Sequence, residues 1–157
     1  MISNAAKDFS SLPRDEKEQY LNLLKEKNSR IRQSRIDLYY PSSGPLSRDK
    51  YTKHLEFFRL GKDFSERCIM AANRIGKSEG IGAYETVLHA TGRYPDWWPG
   101  HRFTRPITTW AAGTTSTTAR DIVQFKLLGP PHDFGTGLVP KRYLLKTTPK
   151  AGGVPNA

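Results

Sequence analysis

Residues 67–78 read Arg-Cys-Ile-Met-Ala-Ala-Asn-Arg-Ile-Gly-Lys-Ser, and the fold expected from the sequence turns on them. Residues 67–72 are a short apolar run of strand length. From Lys77 to about Ala90 the spacing is helical, with Ile81, Tyr84 and Leu88 on one face and Val87 beside them. Gly80, Gly82 and Ala83 are small enough to let that helix approach a sheet closely. Between strand and helix stands Gly76-Lys77-Ser78, the last three positions of the pattern G-x-x-x-x-G-K-[ST]. Ala71 occupies the place of the first glycine.

Each residue of that loop has a chemical reason. Backbone N–H groups of a glycine-rich turn and of the following helix start point at a phosphate. Gly76 permits close backbone approach, Lys77 sets a positive charge between β- and γ-phosphates, and Ser78 offers a hydroxyl to Mg²⁺. Ala71 is a tolerable departure, because the first glycine mainly eases the turn out of the strand. Arg74 lies inside the loop. It is either a guanidinium aimed at the γ-phosphate from the same chain or an exposed loop residue, and the loop residues alone leave both readings open. The expected architecture is α/β: an incomplete P-loop NTPase core behind an N-terminal helix.

Outward from the loop, Pro13 opens a helix with Asp15, Glu16 and Glu18 in its acidic start. It is expected to run to about Leu38 on a thin stripe of Leu21, Leu24, Ile31 and Leu38. Lys25, Lys27, Arg30, Arg32 and Arg35 make its second half basic. Residues 41–49, PSSGPLSRD, are a Pro-, Gly- and Ser-rich break. The expected division is therefore 1–49 as tail, basic helix and linker, and 50–157 as a partial ATPase domain. Residues 50–60 read as an amphipathic helix with Leu55, Phe58 and Tyr51 inward. Residues 92–106 are an aromatic, Pro- and Gly-rich loop, and Ile107 to Ala112 is a second strand candidate. A helix follows to about Leu128, with capping-box spacing at Thr118 and Asp121. Tyr143 to Thr147 is a short strand candidate.

The chain of 157 residues carries 25 Lys and Arg against 15 Asp and Glu, a net charge of +10. That balance suits a polyanionic partner such as nucleic acid. One cysteine, Cys68, excludes an intramolecular disulfide and fits a reducing compartment. No stretch approaches the roughly 20 apolar residues of a membrane span, and the N-terminus lacks a signal-peptide core. The expectation is a soluble protein of the cytoplasm. His54, His89, His101 and His132 are scattered without ligand spacing. Trp97, Trp98 and Trp110 read as packing residues rather than base-stacking platforms.

Several stretches together resemble the phage terminase large subunit, the ATPase that drives DNA into a procapsid. They are Tyr51-Thr-Lys-His-Leu-Glu-Phe-Phe, Met-Ala-Ala-Asn-Arg-Ile-Gly-Lys-Ser-Glu at 70–79, and Tyr84 through Gly100. Trp110-Ala-Ala-Gly, Arg120-Asp-Ile-Val-Gln and Gly135-Thr-Gly-Leu-Val-Pro follow in order. The resemblance implies a variant Walker A loop with an internal arginine and no first glycine. ATP and Mg²⁺ are the implied cofactors, with Ser78 on the metal and Lys77 and Arg74 acting on the phosphates. The implied nucleotide contacts are Ala71, Ala72, Asn73, Arg74, Ile75, Gly76, Lys77, Ser78 and Glu79. Upstream, Tyr51 and His54 fall in an implied adenine-binding segment. The implied partners are double-stranded DNA, the portal, the terminase small subunit and further copies in a ring, in the host cytoplasm and with no membrane.

One departure is large. ATP hydrolysis in that family uses an apolar strand ending in Asp-Glu, and no run of four apolar residues here precedes an acid. After Glu85 the only acids are Asp96, Asp121 and Asp133. The sequence is thus read as an N-terminal fragment, inactive alone, of an ATPase and endonuclease. Two other readings stand beside it: a fragment of another P-loop ATPase or kinase, and a non-enzymatic basic DNA-binding module.

Overall fold

A computed structural model describes residues 13–33 and 35–148 of the chain. It divides into two compact units that meet between Arg32 and Gln33. The first unit is built on helix α1, Arg14–Gln33. The Pro13 carbonyl accepts from the Lys17 amide at 3.0 Å, so proline opens the helix where its missing N–H costs nothing. Asp15 and Glu16 sit in the first turn, and Arg30 pairs with Glu26 one turn back at 2.6 Å. Leu21 and Leu23 are exposed.

The helix ends at Gln33 and does not continue to Leu38. Arg35–Leu38 is instead a 3₁₀ turn. Ile36 and Tyr40 are buried and Tyr39 packs against the same core. Tyr40 completes the bend at φ 53°, a left-handed conformation that costs a non-glycine residue about 1–3 kcal/mol.

In the second unit a 3₁₀ turn, Arg48–Tyr51, leads into α2, Thr52–Arg59. A π-helix, Lys77–Ala83, runs directly into α3, Tyr84–Thr91, which Gly92 ends at φ 68°. The short helix α4, Ser116–Thr118, passes through a second π-helical stretch, Ala119–Gln124, into α5, Phe125–Leu128. The capping residue of this run is Thr115, whose side chain accepts from the Thr118 amide at 3.1 Å; the spacing at Thr118 and Asp121 is not the cap. The return segment is tied down by backbone bonds from Leu138 to Lys126 and from Val139 to Leu127.

The α/β expectation is overturned: the described residues contain no β-strand. Residues 67–72 do alternate as a strand would. Arg67, Ile69 and Ala71 are half-buried, while Cys68, Met70 and Ala72 are exposed. A strand also needs a neighbour to complete its backbone ladder, and among the described residues none lies alongside. Residues 107–112 are nearly all exposed, with Trp110 at 93%. Tyr143 closes a 3₁₀ turn, Lys141–Tyr143, and 144–148 form no ladder.

The core is aromatic instead. Phe58, at 0% exposure, lies 4.6 Å from Trp98 and 5.8 Å from Tyr40, ring centre to ring centre. Tyr40 meets Tyr84 at 5.1 Å, and Ile81, Val87 and Leu88 of the Lys77–Thr91 segment complete the buried face. Such rings bury much apolar area and add edge-to-face attraction. Trp98 is thus a core residue, its indole N–H donating to the His101 carbonyl at 2.9 Å. Among the described residues no helix is long and apolar enough to cross a membrane. Phe58→Ala is expected to cost about 3–5 kcal/mol in denaturant unfolding, because the hole it leaves touches four other rings.

Candidate functional site

The loop at 71–78 is held by its own lysine. The Lys77 ammonium donates to the Ala71 carbonyl and, at 3.1 Å, to the Ala72 carbonyl, so the side chain folds back across the loop that precedes it. Two residues inside that loop are left-handed: Arg74 at φ 65° and Gly76 at φ 88°. Glycine adopts that conformation freely and arginine does not. Gly76 has a second reason to be glycine, since a Cβ there would come within 3.3 Å of the His54 ring. The Gly76 carbonyl accepts from both the Gly80 amide at 2.7 Å and the Ile81 amide at 3.1 Å, which is how the widened first turn begins. Ala72, Asn73, Arg74, Ile75 and Ser78 are exposed.

Beside the loop is a cavity of about 540 Å³. Arg74, Ile75, Gly76, Glu79 and Gly80 form its loop side, and Tyr51 and His54 face them across it. Of the residues singled out in the sequence, Tyr51, His54, Arg74, Ile75, Gly76 and Glu79 line this cavity, and Ala71, Ala72, Asn73, Lys77 and Ser78 are not among its lining residues. Tyr51 and His54 stand 5.2 Å apart, ring centre to ring centre. Tyr51 is half-buried and presents ring surface to the cavity. His54 is buried, and both its nitrogens are engaged: one with the Tyr40 hydroxyl at 2.7 Å, the other with the Ile75 carbonyl at 3.0 Å. The Tyr40 hydroxyl donates in turn to the Gly80 carbonyl at 2.7 Å. These contacts grip the backbone on either side of Gly76–Glu79.

Glu79 ties the site to the rest of the unit. Its carboxylate accepts from Arg35 at 2.6 Å, from the Tyr39 hydroxyl, and from Lys126 of α5 at 2.9 Å. Burial alone pushes the Glu79 carboxyl up. The hydrogen bonds from Tyr39 and Lys126 and the charges of Lys126 and Arg35 outweigh that and hold it below its ordinary range. Tyr39 is pushed up to about 12, first by burial and then by its bond to Glu79. Burial pushes His54 down, and the Ile75 carbonyl only partly offsets it.

Arg35, Tyr39, Tyr40 and Lys126 did not stand out as site residues in the sequence. The available signal was the pair Tyr39-Tyr40, two bulky aromatics directly before a Pro-Ser-Ser-Gly break. A second network braces the far side of α3. Glu85, buried, pairs with Arg67 at 3.0 Å and lies 3.5 Å from His89. His89 meets the Tyr94 hydroxyl at 2.9 Å, and that hydroxyl accepts from the Phe103 amide. Among the described residues no group of three His, Cys, Asp or Glu could hold a metal ion.

The chain is similar to the terminase large subunit of Salmonella phage P22, at 36% identity over 110 residues. The alignment takes in 60% of this chain and 22% of that relative, so the chain spans about a fifth of the protein it matches. No family model matches the chain. No solved structure matches it either.

Glu79 makes a pH prediction whose sign is fixed. Its folded carboxyl sits below its ordinary value of 4.5, so its contribution is present above that value and disappears as pH falls through the folded one. Glu79→Gln is expected to cost about 1–2 kcal/mol at neutral pH. Thermal unfolding followed from neutral to acid should show the gap between wild type and variant closing below pH 4.5.

Proposed function

We propose that this chain is part of a phage DNA-packaging terminase large subunit, and that its Gly76-Lys77-Ser78 loop binds the phosphates of ATP. The similarity to the phage P22 protein supports the first statement. The observation that carries the second is the placement of Lys77. Its ammonium lies over the loop carbonyls of Ala71 and Ala72, in the same loop whose Arg74, Ile75 and Gly76 line a cavity with Tyr51 and His54. Cation, loop and ring-lined cavity are the three parts a nucleotide needs.

In this reading Lys77 leaves its two carbonyl partners for the phosphates, a local exchange of one set of acceptors for a charged one. Arg74, exposed and held left-handed on the cavity side, supplies a second cation. Tyr51 offers the open ring face for the base, whereas His54 has both nitrogens committed. Ser78 is exposed and free to reach Mg²⁺ carried by the phosphates; the metal would neutralise phosphate charge. The carboxylate that follows the loop, Glu79, is tied to three donors and is poorly placed to position water. Partners implied by this reading are double-stranded DNA and, through it, the packaging machinery.

Two measurements test the reading. Titration calorimetry with ATP–Mg²⁺ should show weak binding without steady hydrolysis, and Lys77→Ala should abolish the binding. Equal binding by wild type and variant would remove the nucleotide reading. For DNA, the net charge of +10 predicts sequence-independent association that weakens steeply with salt. A salt-independent affinity would leave the charge as a solubilising surface only.

A further inference from the structure

The contacts around His54 contain one more hydrogen bond than a neutral imidazole can supply. A carbonyl oxygen only accepts, so the His54 nitrogen 3.0 Å from the Ile75 carbonyl must carry a proton. By the same argument the Tyr40 hydroxyl spends its one proton on the Gly80 carbonyl at 2.7 Å. The remaining contact, 2.7 Å between the Tyr40 oxygen and His54 Nδ1, is then a hydrogen bond only if Nδ1 is protonated as well. With neutral His54 and Tyr40, two protons serve three contacts, and either Gly80 or Nδ1 loses its partner. With an imidazolium all three are satisfied, and the backbone is gripped on both sides of Gly76 and Lys77.

We infer that His54 is a positioning residue of the anion site and takes up a proton when an anion enters the cavity. The inference rests on the phosphate-binding reading of the loop and extends it. In the empty cavity the surroundings hold the imidazole neutral: burial disfavours its charge. The charged groups that share the cavity are Arg35 and Arg74, which oppose a further positive charge, and Glu79, which Arg35 and Lys126 already neutralise. Tyr40 and Tyr51 pack on the ring. An anion in the cavity offsets Arg74 and reverses that balance. Protonation then completes the grip on Ile75 and Gly80, so the loop stiffens when it is loaded. His54 is the cavity residue whose ordinary titration range lies near neutrality.

Sulfate is the suitable probe, because its own charge is constant between about pH 5 and 8, unlike that of a terminal phosphate. Calorimetric titration of the full chain in two buffers of different ionisation enthalpy, at fixed ionic strength, reads proton uptake. The expected result is uptake approaching about one proton per sulfate just above neutral pH. The imidazole nitrogen resonances should change in step from a neutral to a doubly protonated pattern. Tyr40→Phe removes the hydroxyl that requires the second proton, and His54→Gln removes the titrating group. Both should bind sulfate with a heat that no longer depends on the buffer. A buffer-independent heat in the wild type, uptake unchanged in both variants, or no sulfate binding at all overturns the inference. ATP binding that depends on Lys77 but brings no proton leaves the nucleotide reading standing; loss of ATP binding removes both.

Discussion

One carboxylate holds the candidate site in register. Glu79 follows the Gly-Lys-Ser turn directly, and its oxygens receive Arg35 and Tyr39 from the segment before the Pro-rich break and Lys126 from α5. Those donors lie 40 to 47 residues away on either side, so the chain must close two long loops before the carboxylate is satisfied. Loop-closure entropy rises slowly with length, which is why one group can organise such distant segments. A half-satisfied carboxylate here would be worse than none, because burial charges it the cost of leaving water whether or not its partners arrive. The cavity wall, the loop and the last helix are thus set by the same few hydrogen bonds.

The aromatic core explains why such a polar arrangement survives without a sheet. Rings from four separate segments meet edge to face around Tyr40. Each contributes large apolar area at low side-chain entropy. Tyr40 belongs to both systems. Its ring fills the core, and its hydroxyl serves the polar network over the loop. The strain of its left-handed backbone is offset by both at once.

Legibility in the sequence divided along physical lines. The buried face of the Lys77–Thr91 segment was readable, since Ile81, Tyr84, Val87 and Leu88 follow helical spacing and are all buried. Phe58 was readable on the same grounds. Phosphate chemistry constrains both identity and spacing, which is why a candidate set could be drawn from Tyr51 to Glu79; of that set Tyr51, His54, Arg74, Ile75, Gly76 and Glu79 line one cavity, and Ala71, Ala72, Asn73, Lys77 and Ser78 are not among its lining residues. What misled was the apolar run at 67–72. Alternation reports which side of an extended segment is covered, and here one side is. It carries no information on whether a neighbouring strand is present. Arg35, Tyr39 and Tyr40 were hidden for another reason: their value lies in contacts some 40 residues away, and local pattern is blind to those. Arg35 was counted with a basic helix, although its guanidinium belongs to Glu79.

The π-helix at Lys77–Ala83 has a consequence for how this segment tolerates change. A π-turn is an α-turn with one residue too many. Each residue of a regular helix advances the face by about 100°. Deleting one residue on the exposed side between Lys77 and Ala83, at Gly82 for example, would return the turn to ordinary geometry and leave Tyr84, Val87 and Leu88 in phase with the core they now meet. A further insertion has no such outlet and would swing that face away by about 100°. The segment is therefore tolerant of losing one residue and intolerant of gaining one, and drift in this stretch should appear as exchanged residues or a single gap and not as added length.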